Sequence, residues 1–487
     1  MRQLYQHSFE LLTDLYQLTM AYGYWKSGST DKQAVFHLFF RRNPFEGGYA
    51  VASGLEFVVQ MLQEYRFRDD DLAYLAHLKG NDDQPLFETA FLEELRTMPF
   101  QCDIDAVPEG TVVFPHEPLL RVIGPIMQCQ LLETALLNIF NFQTLIATKA
   151  SRVCLAAGDD PVLEFGLRRA QGIDGALTAS RAAYIGGCAA TSNVLAGKLF
   201  GIPVKGTHAH SWIMSFDTEP EAFDAYAAAM PNNCVFLVDT YNTIDGVRNA
   251  VDVGNRLRRR GYQMAGIRLD SGDLSSLSRT ARQILDEAGF EQAAIVASND
   301  LDEALISSLK QQGAAINVWG VGTRLVTGDG QPALGGVYKL AAIREPGNNW
   351  SYRVKLSEQA AKSSTPGVLQ IRRFRNGSGA TADMIYNQAQ DTPVDRRIIE
   401  VDDSTQSHPI DDSDTWTDLL LPIFRQGQCV YDLPDIAAIR KYRAGQLNDF
   451  HADVKRNIHP HQYPVGLESG LHSLRRNLIL EIRNTES

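Results

Sequence analysis

Apolar and polar positions change rhythm twice along the chain. Residues 8 to 27 carry apolar side chains at helical spacing, and "AVFHLFFRR" (34 to 42) reads as a strand of β-formers. Helices are predicted at about 50 to 65 and 86 to 97, then a small antiparallel sheet from 102 to 127, where short Val and Ile runs are punctuated by Pro and Gly. A long, largely apolar helical stretch follows from about 129 to 157, of the kind that packs between two layers.

Beyond it, short apolar runs ending in polar residues alternate with amphipathic segments. The runs are "VLEFGLRR" at 162, "VKGTHAH" at 204, "CVFLVDTYN" at 234, "MAGIRLDSGD" at 264, "AAIVASND" at 293 and "AINVWGVGT" at 315. Repeated βα units predict parallel strands joined by right-handed crossovers. An α/β barrel is favoured over an open doubly wound sheet, because nearly every strand ends in a charged or hydroxyl residue. After about 341, "AAIREPGNNWSYRVKLSE" reads as a hairpin, "STPGVLQIRRF" as a turn and strand, and "DIAAIRKYRAGQLNDFHADVKRN" as a basic surface helix. The expected organisation is therefore an N-terminal α+β domain over 1–135, an α/β barrel over 136–340, and a segment over 341–487 that completes the smaller α+β domain and the barrel periphery.

Composition narrows the chemistry. The 487 residues, 44% hydrophobic, describe an ordinary globular core. Six scattered cysteines with no C-x-x-C pair point to reduced thiols and a cytoplasmic protein. No apolar run suits a bilayer, and Glu10 and Asp14 break the N-terminal stretch, so neither a membrane span nor a signal peptide is expected. A net charge of −12 disfavours a nucleic-acid partner. An anionic small molecule would need local arginines.

Candidate chemistry gathers at the predicted strand ends. In "LDSGD", Asp270 and Asp273 lie three apart across a Ser-Gly turn, a spacing suited to sugar hydroxyls or Mg²⁺, while Asp273 alone also suits a helix cap. "NVWGVGTRLVT" and "LGGVYKL" offer Gly320, Gly322 and Thr323, then Gly335 and Gly336, as backbone-amide turns that could cradle phosphate or simply turn the chain. Arg168, Arg169 and Arg268, read as strand residues, suit a substrate carboxylate or phosphate, or a structural ion pair. "GTHAHSWIMSF" sets His208 and His210 one residue apart, open to metal binding, nucleophilic catalysis or packing. A sugar-phosphate barrel enzyme would want a Schiff-base lysine, and Lys205 is the only lysine near a predicted strand end. A binding protein without turnover is a third class.

Taken in order, "TDLYQLTMAYGYW", "FFRRNPFEGGYAVASGLE", "EFGLRRAQGIDGALTASRAAYIGGCAATSN", "GTHAHSWIMSF", "VDTYNT", "RLDSGDL" and "GVGTRLVT" resemble the nicotinate phosphoribosyltransferases over residues 10 to 340. The resemblance implies an irregular TIM-like α/β barrel of the type II phosphoribosyltransferases. It implies that nicotinate and phosphoribosyl pyrophosphate yield nicotinate mononucleotide and pyrophosphate in NAD biosynthesis by salvage, with ATP hydrolysis coupled through a phosphohistidine. Nicotinamide and quinolinate phosphoribosyltransferases share the reaction type. By the same resemblance, His210 is phosphorylated and His208 stands at the variable position of the motif. Tyr16 and Thr207 contact nicotinate, and Arg268 meets its carboxylate or ring. Thr323 and the glycines of "GVGT" and "LGG" hold the 5′-phosphate, with Asp239 and Asp270 near the ribose or the Mg²⁺–pyrophosphate. Asp14 and Tyr16 belong to a segment that reaches a second subunit's site, which implies a homodimer.

Overall fold

The computed structural model describes residues 9–356, 363–390 and 396–485. The chain divides into two units, one formed by Leu145–Pro332 with Ile436–Lys441 and the other by Met1–Thr144, Ala333–Asp435 and Tyr442–Ser487.

In the Leu145–Pro332 unit, six strands form one parallel sheet in the order Ala190–Thr191, Val162–Glu164, Val318–Val321, Ala294–Ala297, Gly266–Leu269 and Val235–Leu237. Every neighbouring pair is consecutive in the chain except first and last, so this is the order of a ring opened between its second and third strands. A doubly wound sheet would instead reverse at a central switch point. The ring is not closed by a ladder among the described residues. Its gap holds the 204–210 segment, which makes one parallel bridge, Thr191 to Val204, and reaches Leu237 through His208, whose Nε2 accepts the Leu237 N–H at 3.3 Å.

The strand predicted at 204 is therefore absent. Residues 203–206 are exposed and include Gly206, leaving no apolar face to pack on a sheet. The two-residue strand at 190–191 takes its place and carries too short a signal to be read from pattern. Arg168 and Arg169 also leave the predicted strand, which ends at Glu164; they stand exposed on a 3₁₀ turn, Leu167–Arg169, beyond Gly166.

The crossover helices fold for legible reasons. Thr243–Arg259 buries Val247, Ala250, Val253 and Leu257 on one stripe, and its start is fixed by Asn242, whose side chain accepts from two first-turn amides. Gly246 lies so close to the Val238 carbonyl that a Cβ would overlap it, which lets the helix approach a strand end.

The other unit carries a seven-stranded antiparallel sheet in which Gln33–Phe39 pairs with Leu120–Pro125 and Val337–Arg344, and a six-stranded mixed sheet around Leu369–Asn376 and Gly379–Asn387. The C-terminal segment contributes strands to both sheets, so this unit is the larger of the two and not the smaller one expected. The predicted basic surface helix, Ile436–Asn448, is only partly a surface element, because Ile439, Arg443, Gln446 and Leu447 are buried. No helix among the described residues is long and apolar enough to cross a membrane, and all six cysteines are free thiols.

Candidate active site

Parallel pairing brings the C-terminal ends of the six strands to one edge of the sheet, and the polar residues that follow them meet there. Asp239 follows Val235–Leu237 by one residue and is almost wholly buried. Its Oδ2 accepts the Asp270 N–H at 2.7 Å and the Ser271 hydroxyl at 2.8 Å, tying two strand ends together, while Oδ1 is buried with no hydrogen-bond partner. Asp270 follows Gly266–Leu269, and its Oδ1 accepts the Ser298 hydroxyl at 2.6 Å.

Arg268 organises the centre. Nε donates to Ser298 Oγ at 2.8 Å, Nη1 to Thr207 Oγ1 at 2.7 Å and to the His208 carbonyl at 3.4 Å, and Nη2 lies 3.4 Å from Asp270 Oδ1. Four neighbours thus engage its planar fork, so much of its donor capacity serves to fix Thr207 and Asp270.

The two histidines part company. His208 is buried, its ring edge-on to Tyr226 at 4.8 Å, and burial pushes its pKa down to about 4. It is a neutral, structural ring. His210 opens the short helix His210–Met214 and remains half-buried; its Nδ1 lies 3.0 Å from Thr240 Oγ1, and its Nε2 lies 3.9 Å from Asp239 Oδ1 and 3.7 Å from Asp270 Oδ2. This imidazole therefore shares one locus with both carboxylates.

Other candidates fall elsewhere. Asp273 caps the helix Leu274–Glu287, its Oδ1 accepting the Ser275 and Ser276 amides at 3.1 Å each. Gly320 lies within the strand Val318–Val321, where a Cβ would press on the Phe165 ring at 2.7 Å. Gly322 and Thr323 sit at the start of the short helix Thr323–Val326. Gly335, with φ of +76°, and Gly336 belong to the other unit, and the Gly336 amide already donates to Asn141 Oδ1 at 3.0 Å. Asp14 and Tyr16 also lie there; Asp14 accepts from the Thr134 hydroxyl at 2.8 Å, and Tyr16 is exposed.

Sequence reasoning missed Thr240, Ser271 and Ser298, although each stands in a strand-end run already picked out. It also missed the buried carboxylate of Glu164, which accepts from Ser180 Oγ at 2.8 Å, Thr191 Oγ1 at 2.5 Å and the Gly166 amide and so braces the first strand end.

The chain is 44% identical to nicotinate phosphoribosyltransferase of Bacillus subtilis over 98% of its own length and 96% of the relative's. The chain belongs to the nicotinate phosphoribosyltransferase family. The family's N-terminal domain matches residues 11–141 and its C-terminal domain residues 370–475. The human nicotinate phosphoribosyltransferase sequence is 37% identical, with 96% of each chain covered. The crystal structure of human nicotinic acid phosphoribosyltransferase superimposes with a TM-score of 0.83 at 34% identity, covering 96% of this chain and 99% of that one. Nicotinate-nucleotide pyrophosphorylase of Pyrococcus furiosus shares the fold, with a TM-score of 0.68 at 22% identity over 91% and 95% of the two chains.

Proposed function

We propose that this chain joins nicotinate to phosphoribosyl pyrophosphate, forming nicotinate mononucleotide and pyrophosphate in NAD biosynthesis, and couples the reaction to ATP through a phosphohistidine at His210. The observation that carries this reading is the half-buried His210 imidazole facing Asp239 and Asp270, in a chain of this family. A ring nitrogen of His210 attacks the γ-phosphorus of ATP, the bond to the β-phosphate oxygen breaks, and ADP leaves; water later cleaves the N–P bond to release phosphate.

In the glycosyl step the pyridine nitrogen attacks the anomeric carbon as its bond to pyrophosphate breaks. That nitrogen carries no proton, so no general base is required. Positive charge developing on the ribose lies near Asp270 and Asp239, which stabilise it electrostatically. Asp239 Oδ1, buried without a hydrogen-bond partner, and Asp270 Oδ2 are the kind of paired carboxylate oxygens that Mg²⁺ takes together with substrate phosphates. Bound there, Mg²⁺ would neutralise the departing anion.

Thr207 and Tyr16 contact nicotinate, and Arg268 lies against it while holding Thr207 in place. Gly320, Gly322, Thr323, Gly335, Gly336 and Arg168 remain the candidates for phosphate, and Asp273 combines its cap with a ribose contact. Tyr16 and Asp14 serve the site of a second subunit in a homodimer, and the parallel sheet closes as an irregular barrel of the type II phosphoribosyltransferases. The test is Asp270→Asn, assayed for nicotinate mononucleotide with the fold checked by circular dichroism. Turnover should fall by about two powers of ten or more; activity near wild type removes Asp270 from the mechanism.

A further inference from the structure

Ser298 is the first residue beyond the strand Ala294–Ala297, and the sheet still holds its backbone, because its amide donates to the Leu269 carbonyl at 2.9 Å. In that parallel pair Val296 is level with Arg268. Side chains two residues apart share a face, so Ser298, two beyond Val296, falls level with Asp270 on the face that Arg268 and Asp270 occupy. The residue is buried. Strand pairing thus delivers one hydroxyl between a guanidinium and a carboxylate.

The direction of both hydrogen bonds is forced. A guanidinium only donates, so Ser298 Oγ accepts from Arg268 Nε at 2.8 Å. Its own proton is then left for Asp270 Oδ1, 2.6 Å away, in a charge-assisted bond. The two partners depend on the hydroxyl unequally. Arg268 keeps Thr207 Oγ1 at 2.7 Å and the His208 carbonyl at 3.4 Å, neither of which involves Ser298. Among the described residues, Asp270 Oδ1 has besides Ser298 only Arg268 Nη2 at 3.4 Å, longer than an ordinary N–H···O bond. The terminal torsion of an aspartate is broad and roughly two-fold, so little else sets the plane of this carboxylate. Asp270 Oδ2, 3.7 Å from His210 Nε2, keeps its place because Oδ1 is tied back.

We propose that Ser298 is a positioning residue for the glycosyl step, a role that rests on Asp270 facing the developing ribosyl charge: its hydroxyl ties back Oδ1 and so aims Oδ2 at the reacting centre. The test is steady-state kinetics of nicotinate mononucleotide formation in wild type, Ser298→Ala, Ser298→Thr, Asp270→Ala and the Ser298→Ala, Asp270→Ala double variant, with melting temperature as a fold check. A group misplaced by about 1 Å can cost roughly a hundredfold in rate, so Ser298→Ala should lower kcat by about tenfold or more while KM for nicotinate stays within about threefold. Ser298→Thr keeps the hydroxyl and should recover most of the rate. In the Asp270→Ala background the loss of the hydroxyl should cost less than about threefold, because Ser298 acts through the missing carboxylate. The proposal is overturned if Ser298→Ala keeps a kcat near wild type, if its loss falls on KM instead, if Ser298→Thr recovers nothing, or if the losses of the two single variants multiply in the double one. Turnover near wild type in Asp270→Ala overturns the reading of Asp270, and the role of Ser298 with it. A large loss in Asp270→Ala beside an unaffected Ser298→Ala overturns the role of Ser298 alone.

Discussion

At the residue scale, one intervening alanine separates two histidines with opposite environments. His208 packs against Tyr226 and accepts the Leu237 amide, so its ring holds the 204–210 segment in the gap of the sheet. Its pKa of about 4 lies below the usual 6.5 that applies once the chain unfolds. Between those values the unfolded chain binds a proton that the native chain does not. The stability contributed by neutral His208 is therefore complete above pH 6.5 and is lost as pH falls toward 4, by on the order of 3 kcal/mol. Melting temperature followed from pH 7.5 to 5 should drop more steeply in wild type than in His208→Gln; parallel curves would show that the ring titrates normally. His210 makes the opposite prediction. Incubation with γ-labelled MgATP should mark wild type and His208→Ala with acid-labile phosphate and leave His210→Ala unmarked, while slow ATP-independent transfer to nicotinate survives in the last. Label retained by His210→Ala and lost by His208→Ala would move the nucleophile to the other ring.

At the element scale, Asp273 separates a cap from a ligand. Asp273→Ala should lower stability by about 1 kcal/mol, because two first-turn amides of Leu274–Glu287 lose their acceptor, whereas Asp273→Ser keeps an acceptor in place. If the carboxylate also meets ribose, Asp273→Ser loses turnover with little change in melting temperature. Full turnover in Asp273→Ser confines the residue to the cap. The same scale explains what the sequence made legible. Period and strand-end polarity disclosed the strands near 235, 266, 294 and 318, because each is a short apolar run bounded by a capped amphipathic helix. They could not disclose 190–191, two residues long, nor the lack of a strand at 204, where local composition offered a β-like run but tertiary packing buried only His208. Arg268 and Asp270 were legible as charged residues at a strand end, and Asp239 only through the family resemblance. Ser298 and Thr240 were not, since a hydroxyl acquires its role only when neighbouring strands bring it to Asp270 and His210.

At the scale of the whole molecule, the N-terminal segment carries a feature that a single chain leaves unused. Phe9, Leu12, Leu15 and Tyr16 are all exposed around the start of the helix Leu15–Lys26, and clustered apolar exposure of this kind marks an interaction surface. In the proposed homodimer this surface meets a partner, and Tyr16 completes the partner's nicotinate site. A shared site has a consequence that an unshared one lacks. Tyr16→Ala and Asp270→Asn would each inactivate a homodimer, but a mixed dimer would hold one site with both residues intact and one with neither. After equal mixing with subunit exchange, half the dimers are mixed and each has one of its two sites restored, so activity should return to about one quarter of wild type. The readout is nicotinate mononucleotide formation before and after exchange, with sedimentation confirming the dimer. Recovery near one quarter supports a site built from two chains; a mixture no more active than its two components places Tyr16 and Asp270 in the same chain's site or leaves Tyr16 outside it.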